Sequence, residues 1–292
     1  MKILVTGVNG QLGYDVCRVL SARGAEYVGV DIQDFDITDR EATISFITNY
    51  HPDAVIHCSA YTAVDRAEDD KERCQSVNVD GPRNIAEACH RIDAKMLYIS
   101  SDYVFPGTGE KAYEVDDPTG PLGFYGETKL GGELAVQEWL KKFFIVRISW
   151  VFGKNGHNFV KTMLRLGKER EEVRVVCDQI GSPTYTVDLA PLLCDIIETE
   201  QYGIYHATNE GFCSWAEFAQ EIFRLAGLPV KVIFIPSSEY PSKAKRPFNS
   251  RMSKDKLDQA GFNRLPDWKD ALQRYLKEIQ EEQKIEKDGD RS

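Results

Sequence analysis

The sequence has no Cys-x-x-Cys pair and no histidines at metal-ligand spacing, although it carries seven cysteines and five histidines. Zinc ribbons and fingers are thereby excluded. The cysteines are odd in number, and most lie inside apolar runs such as Ala54-Val55-Ile56-His57-Cys58. They read as buried thiols of a reducing compartment rather than as disulfides. No apolar run approaches the roughly 18 residues of a membrane span, and Ile3-Leu4-Val5 is too short for the apolar core of a secretory signal, so a cytoplasmic, non-membrane protein is expected. Positive charge is also in short supply. Lys and Arg number 36 against 46 Asp and Glu, a formal charge of −10. A nucleic-acid partner, which needs a clustered basic surface, is not expected, and a phosphate-bearing substrate would need a local cationic pocket. No internal repeat is visible.

What is present is an alternation of short apolar runs with helical periodicity. Strands are expected at 2–6, 26–30, 53–57, 95–100 and 143–148, with helices at 12–23, 41–49 and 72–91 between them. Strands buried on both faces between crossover helices make an α/β fold with a doubly wound parallel sheet, whose ligands bind at the carboxyl ends of the strands. After about Ser149 the elements shorten. Helices are expected at 159–168, 187–198, 215–226 and 267–279, and strands at 173–176, 203–206 and 230–235. The division read from this pattern is a dinucleotide-binding Rossmann domain at 1–150 and a smaller, mostly helical substrate-binding lobe at 151–280, from which the chain is free to cross back. A charged, fraying tail is read at 281–292.

Gly7, Gly10, Gln11, Leu12 and Gly13 follow the first strand and open a helix. The three glycines there suit a tight turn, close approach of backbone N–H groups to a pyrophosphate, and close helix-to-strand packing. The second strand ends at Asp31, about 20 residues on, where a carboxylate can accept from the adenosine ribose hydroxyls and repel a 2′-phosphate. NADH is therefore expected to be at least tolerated, with NADPH left open. Asp36, next to Ile37, is read either beside the adenine or as a local cap, and Asp39 as the start of the next helix. Tyr125 and Lys129 stand four apart at the start of a helix and share one face. An ammonium beside a phenol favours phenolate, and a phenol so tuned exchanges a proton with a substrate oxygen near neutral pH.

These features resemble the extended short-chain dehydrogenase/reductase superfamily: Gly7-x-x-Gly10-x-x-Gly13, Asp36-Ile37, Tyr125-x-x-x-Lys129, and a serine pair, Ser100-Ser101, ending the fourth strand. A narrower resemblance covers almost the whole chain. The blocks 60–68, 101–107, 125–133, 147–153, 178–184 and 246–251 are similar to those of the dTDP-4-dehydrorhamnose reductase family. The resemblance implies an NAD(P)H-dependent oxidoreductase that reduces the C4 keto group of dTDP-4-dehydrorhamnose to give dTDP-L-rhamnose for polysaccharide synthesis. Tyr125 would be the proton donor, Lys129 its electrostatic support and a holder of the nicotinamide ribose, and Ser101 the hydrogen-bond partner of the substrate oxygen. Ala60, Tyr61, Thr62 and Tyr98 would touch the cofactor. Thr62, Val64, Ser101, Asp102 and Trp150 would touch the sugar, and Arg246, Asn249 and Arg251 would clamp the diphosphate, with structural salt bridges the competing role for the arginines. Asp15 and Asp188 match positions where the family allows a Mg²⁺ near a subunit interface, against a reading as solvated charge. A homodimer is the common assembly of the superfamily.

The sequence departs from the family pattern at Ser101, where many members have Thr, and at Gly123, where an Asn is common. Asp102 is followed by Tyr103 rather than by the Glu of the related dehydratases, which disfavours water elimination. Two other functions fit the same pattern: a regulatory subunit resembling the methionine adenosyltransferase β subunit, and a sibling nucleotide-sugar reductase or epimerase.

Overall fold

A computed structural model describes the backbone of residues 1–289 and the side chains of residues 1–281. Five strands of the first half, β1 (Lys2–Thr6), β2 (Glu26–Val30), β3 (Ala54–His57), β4 (Lys95–Ser101) and β5 (Phe143–Ile148), pair in parallel in the order β2-β1-β3-β4-β5. The order reverses direction between β1 and β3, which opens a crevice beyond the strand ends there. Side chains alternate across this sheet as its period of two requires. Ile3, Val5, Ala54, Ile56 and Leu97 face the helix Gln11–Ala22, while Leu4, Val55, Met96 and Ile145 face the helices Arg40–Tyr50, Gly81–Arg91 and Phe124–Trp139.

The second half does not stay apart from this sheet. Its helix Thr186–Ile197 covers the first face beside Gln11–Ala22, and its strand Gly203–His206 extends the sheet next to β5 as a sixth parallel strand. A second core gathers Phe152, Val160, Val173, Tyr185, Phe218, Trp268 and Tyr275 around the parallel strand pair Glu172–Val176 and Lys231–Ile235.

Two expected elements differ from the structure. The helix expected at 72–91 is helical throughout but carries one wide turn over Ser76–Asp80, between Lys71–Gln75 and Gly81–Arg91. Pro82 has no N–H to donate back along the helix, and a wider turn absorbs such a gap. The last helix runs over Trp268–Gly289, ten residues beyond the expected end. Turn-spaced ion pairs such as Lys277 with Glu281 favour its continuation. Of the expected tail at 281–292, residues 290–292 lie outside the described residues.

Candidate active site

A cleft of about 880 Å³ runs along the carboxyl ends of the parallel strands, walled by residues such as Thr6, Val30, Cys58, Ser101 and Ile148. Gly7, Gly10, Gln11 and Leu12 form its floor at β1. Gly7 has φ +73°, and a Cβ there would come within 2.7 Å of the Ser59 nitrogen, so both conformation and space demand glycine. Gly13 is off the cleft wall. A Cβ on it would meet the Gly7 carbonyl oxygen at 2.3 Å, so it serves helix packing rather than ligand contact. No side chain caps the helix Gln11–Ala22, whose N-terminus opens on the cleft. Such a terminus offers N–H groups and a positive dipole end to an anion.

Further along the wall stand Asp31, Asp36 and Ile37. The Asp31 carboxylate accepts from the Asn9 and Ile32 N–H groups at 2.9 and 2.8 Å. Asp36 accepts from the Thr38 N–H and hydroxyl, and Asp39 caps the helix Arg40–Tyr50. Ala60, Tyr61, Thr62 and Val64 line the opposite side. Their loop is held by Asn78, which accepts from the Tyr61 N–H at 2.8 Å and donates to the Tyr61 carbonyl at 3.1 Å. The wide helical turn carries Asn78, which sequence reasoning missed; Pro82 after Gly81 was its only local signal.

Ser101, Tyr125 and Lys129 converge on the middle of this cleft. Ser101 ends β4, and its hydroxyl donates to Asp102 at 2.9 Å and accepts from the Tyr103 N–H at 3.2 Å. Tyr125 and Lys129 come from the first turns of Phe124–Trp139. The expected tuning of the phenol by the ammonium is not found. Burial and the nearby Asp102 push the Tyr125 phenol well above its usual value, with only a hydrogen bond to Ser101 opposing them. Lys129 is turned instead onto the Ile99 carbonyl, to which it donates at 2.8 Å, and its Nζ lies 4.3 Å from the centre of the Tyr98 ring. Burial brings Lys129 down to about 7, chiefly against the pull of Glu133. Glu133, one turn along, is itself held by one guanidinium edge of Arg147, through Nε and Nη2 at 2.8 Å each, and by Ser100 at 2.5 Å. This buried pair clamps the catalytic helix to β4 and β5.

Asp102, Trp150 and Arg246 also reach the cleft. Burial raises Asp102 to about 6, while hydrogen bonds from Ser250 (2.5 Å) and Ser101 hold it from rising further. Arg246 donates to Asp65 at 2.7 Å and approaches the Tyr103 hydroxyl at 3.3 Å. Tyr103 packs edge-on against Tyr125.

Three expected contacts are corrected by the structure. Tyr98 is fully buried and off the wall; its hydroxyl goes to the Lys129 carbonyl, because strand alternation turns it to the helix-covered face. Asn249 is 1% exposed and spends its amide on the Thr108 and Lys111 carbonyls. Arg251 is off the cleft wall, donates to Asn249 and lies over Phe212, partners other than the carboxylate that the salt-bridge alternative expects. Between them, Ser250 is the residue that reaches Asp102.

Neither reading of Asp15 and Asp188 holds. Asp15 is buried, accepts from Thr186 at 2.5 Å and pairs with Arg18; Asp188 accepts from Arg274 through both oxygens and from Asn209. Among the described residues no group of three or more His, Cys, Asp or Glu is placed to hold a metal ion. A dinucleotide fits better. Gly7 and Gly13 admit no Cβ and Gly10 only a tight one, the uncapped helix end faces the cleft, and the Asp31 carboxylate lies on the wall beyond them.

The RmlD substrate binding domain model matches residues 1–281. The spore coat polysaccharide biosynthesis protein SpsK of Bacillus subtilis (strain 168) is 40% identical over 95% of this chain and 97% of its own. The dTDP-4-dehydrorhamnose reductase of Escherichia coli (strain K12) is 38% identical over 96% and 98%. The crystal structure of dTDP-4-dehydrorhamnose reductase from Bacillus anthracis str. Ames, in complex with NADP, superposes with a TM-score of 0.92 at 42% identity, covering 95% of this chain and 99% of that one. With a parallel sheet, a glycine cradle and a Ser-Tyr-Lys set in one cleft, the chain belongs to the dTDP-4-dehydrorhamnose reductase family.

Proposed function

We propose that the protein reduces the C4 keto group of dTDP-4-dehydrorhamnose to give dTDP-L-rhamnose, using NADH or NADPH. The observation that carries this reading is the convergence of Ser101, Tyr125 and Lys129 midway between the glycine cradle and the end of the cleft formed by Trp150 and Arg246. The reduced nicotinamide, when bound, supplies a hydride to C4. Gly7, Gly10, Gln11 and Leu12 hold its pyrophosphate, Asp31 the adenosine ribose, and Tyr61 and Thr62 the nicotinamide half. Ser101 turns its one hydroxyl proton from Asp102 to the sugar oxygen. Tyr125, whose raised pKa keeps it protonated at neutral pH, gives its proton as negative charge develops on that oxygen. The phenolate that results favours the charged form of Lys129, one turn along the same helix, which in turn stabilises it.

Asp102 and Trp150 meet the sugar, and Arg246 is the cation for the diphosphate, which exchanges its contact with Asp65 for phosphate oxygens. Arg251 has no part in this. Asp31 favours NADH, whereas Arg73, also on the wall and 3.9 Å from Asp36, offers a cation to a 2′-phosphate, so both cofactors are expected to serve. The direct test mixes purified protein with the keto-sugar nucleotide and either reduced cofactor and follows the nicotinamide absorbance. Failure to oxidise both refutes the proposal.

A further inference from the structure

Trp150 has a backbone φ of +49°, a left-handed conformation that a side-chain-bearing residue adopts only where its surroundings impose it. It stands on the cleft wall just after β5. Its indole is stacked on that of Trp215, ring centroids 3.7 Å apart and planes 16° from parallel. This is the one indole-on-indole stack among the described residues. The Trp150 ring also rests against Gly181, where a Cβ would come within 2.9 Å of the indole Cε2.

Both supports come from one short ribbon: Gly181 pairs with Cys213, and Ile180 with Ser214, the residue immediately before Trp215. Ser214 starts the helix Trp215–Ala226 with a reciprocal capping box to Glu217, which fixes the first helical residue. Phe159 backs the Trp215 ring at 4.7 Å. The Trp150 carbonyl is pinned separately, accepting from the Thr184 N–H at 3.1 Å. The strained residue therefore has its backbone held from one side and its ring held by a second, rigid element.

We infer that Trp215 is a positioning residue for substrate binding: by stacking on Trp150 it holds that indole against the sugar end of the cleft. The inference rests on the proposed reading of Trp150 as a sugar contact. It assigns a role to a residue far along the chain, whose own ring also lines the cleft. Removing the Trp215 ring leaves Ser101, Tyr125 and Lys129 untouched, so its effect falls on binding of the sugar nucleotide and not on the chemical step.

The test compares Trp215→Leu, Trp215→Phe and Trp150→Phe with the wild type. The stack is read from the coupled-indole signal in circular dichroism, and function from steady-state kinetics with the keto-sugar nucleotide. Trp215→Leu and Trp150→Phe are both expected to lose the coupled signal. In Trp215→Leu the KM for the sugar nucleotide is expected to rise roughly 3- to 10-fold, the scale of one aromatic pair, with kcat and the KM for cofactor within about 2-fold. Trp215→Phe, which keeps a ring on the stack, is expected to restore most of the KM. Should the leucine variant fail to fold, Trp215→His supplies the comparison with the phenylalanine variant. An unchanged KM in the variant that has lost the coupled signal overturns the inference. A wild type with no turnover would instead refute the proposed function; the same variants would then be compared by calorimetric binding of dTDP-L-rhamnose, and equal affinities would overturn the inference.

Discussion

Asp102 offers a test in which stability and activity move in opposite directions. Its carboxyl is 2% exposed, and burial raises it from 3.8 to about 6 despite hydrogen bonds from Ser101 and Ser250. A group raised on folding stabilises the protein while protonated and loses that contribution as pH climbs through the folded value. At about 1.4 kcal/mol per pH unit, the move from 3.8 to about 6 makes ionised Asp102 a liability of about 3 kcal/mol relative to its protonated form. The liability is absent below about pH 4, roughly half developed near pH 5, and complete above about pH 7.

Asp102→Asn keeps the shape and removes the charge; one serine can turn to accept from its amide N–H while the other still donates to the amide oxygen. The variant is expected to be more stable than the wild type by on the order of 2 kcal/mol at pH 7.5, since some charge-assisted hydrogen bonding is lost with the carboxylate. The gain is expected to shrink toward zero by about pH 4. Urea unfolding at pH 7.5, 5 and 4 measures it. Turnover is expected to fall in the same variant, because a sugar-facing charge has gone. A variant equally stable or less stable at pH 7.5, or a gain that does not change with pH, would refute this account of the buried carboxylate.

Three other perturbations act on separate parts of the site. Tyr125→Phe removes the proton donor and little volume, so turnover should disappear while calorimetric affinity for NADPH stays within about 2-fold. Glu133→Gln breaks the buried pair with Arg147 and leaves a guanidinium with half its partner; denaturant unfolding should register a loss of about 3–5 kcal/mol, and an effect below about 1 kcal/mol would show that the clamp is dispensable. Asp31→Ala removes the carboxylate that favours the unphosphorylated ribose, so the ratio of kcat/KM for NADPH to that for NADH should rise about 10-fold, and an unchanged ratio would mean that this carboxylate does not read the ribose.

Much of the scaffold was legible because it follows from period and spacing. β1, β2 and β5 have the limits read from the sequence; in β1 and β5 this is because a parallel strand buried on both faces is a short, nearly continuous apolar run. The glycine cradle was legible for a similar reason: only glycine satisfies the close approaches at Gly7 and Gly13. What the sequence obscured was direction. In the extended segment around Asn249, Ser250 and Arg251, neighbours point to opposite sides, and the conspicuous polar residues turned out to be the structural ones, while the plain serine meets Asp102. Tyr98 failed in the same way on β4. Trp215 was hidden differently. Its place beside Trp150 depends on a two-residue ribbon joining segments more than thirty residues apart, and no local pattern announces such a pairing. The electrostatics were the least legible of all. A Tyr-x-x-x-Lys spacing implies mutual tuning in water-like surroundings, but burial raises the phenol and lowers the amine, and so dominates both.

The central claim is that a hydride reaches C4 of the nucleotide-linked sugar in the cleft where Ser101, Tyr125 and Lys129 meet. The measurement that addresses it most directly uses cofactor carrying deuterium at the transferable position of the reduced nicotinamide, incubated with the protein and dTDP-4-dehydrorhamnose, with the sugar product analysed by NMR and mass spectrometry. The account requires dTDP-L-rhamnose bearing one deuterium at C4, and none from the Tyr125→Phe variant. Unlabelled product, label at another carbon, or equal product from that variant would contradict it.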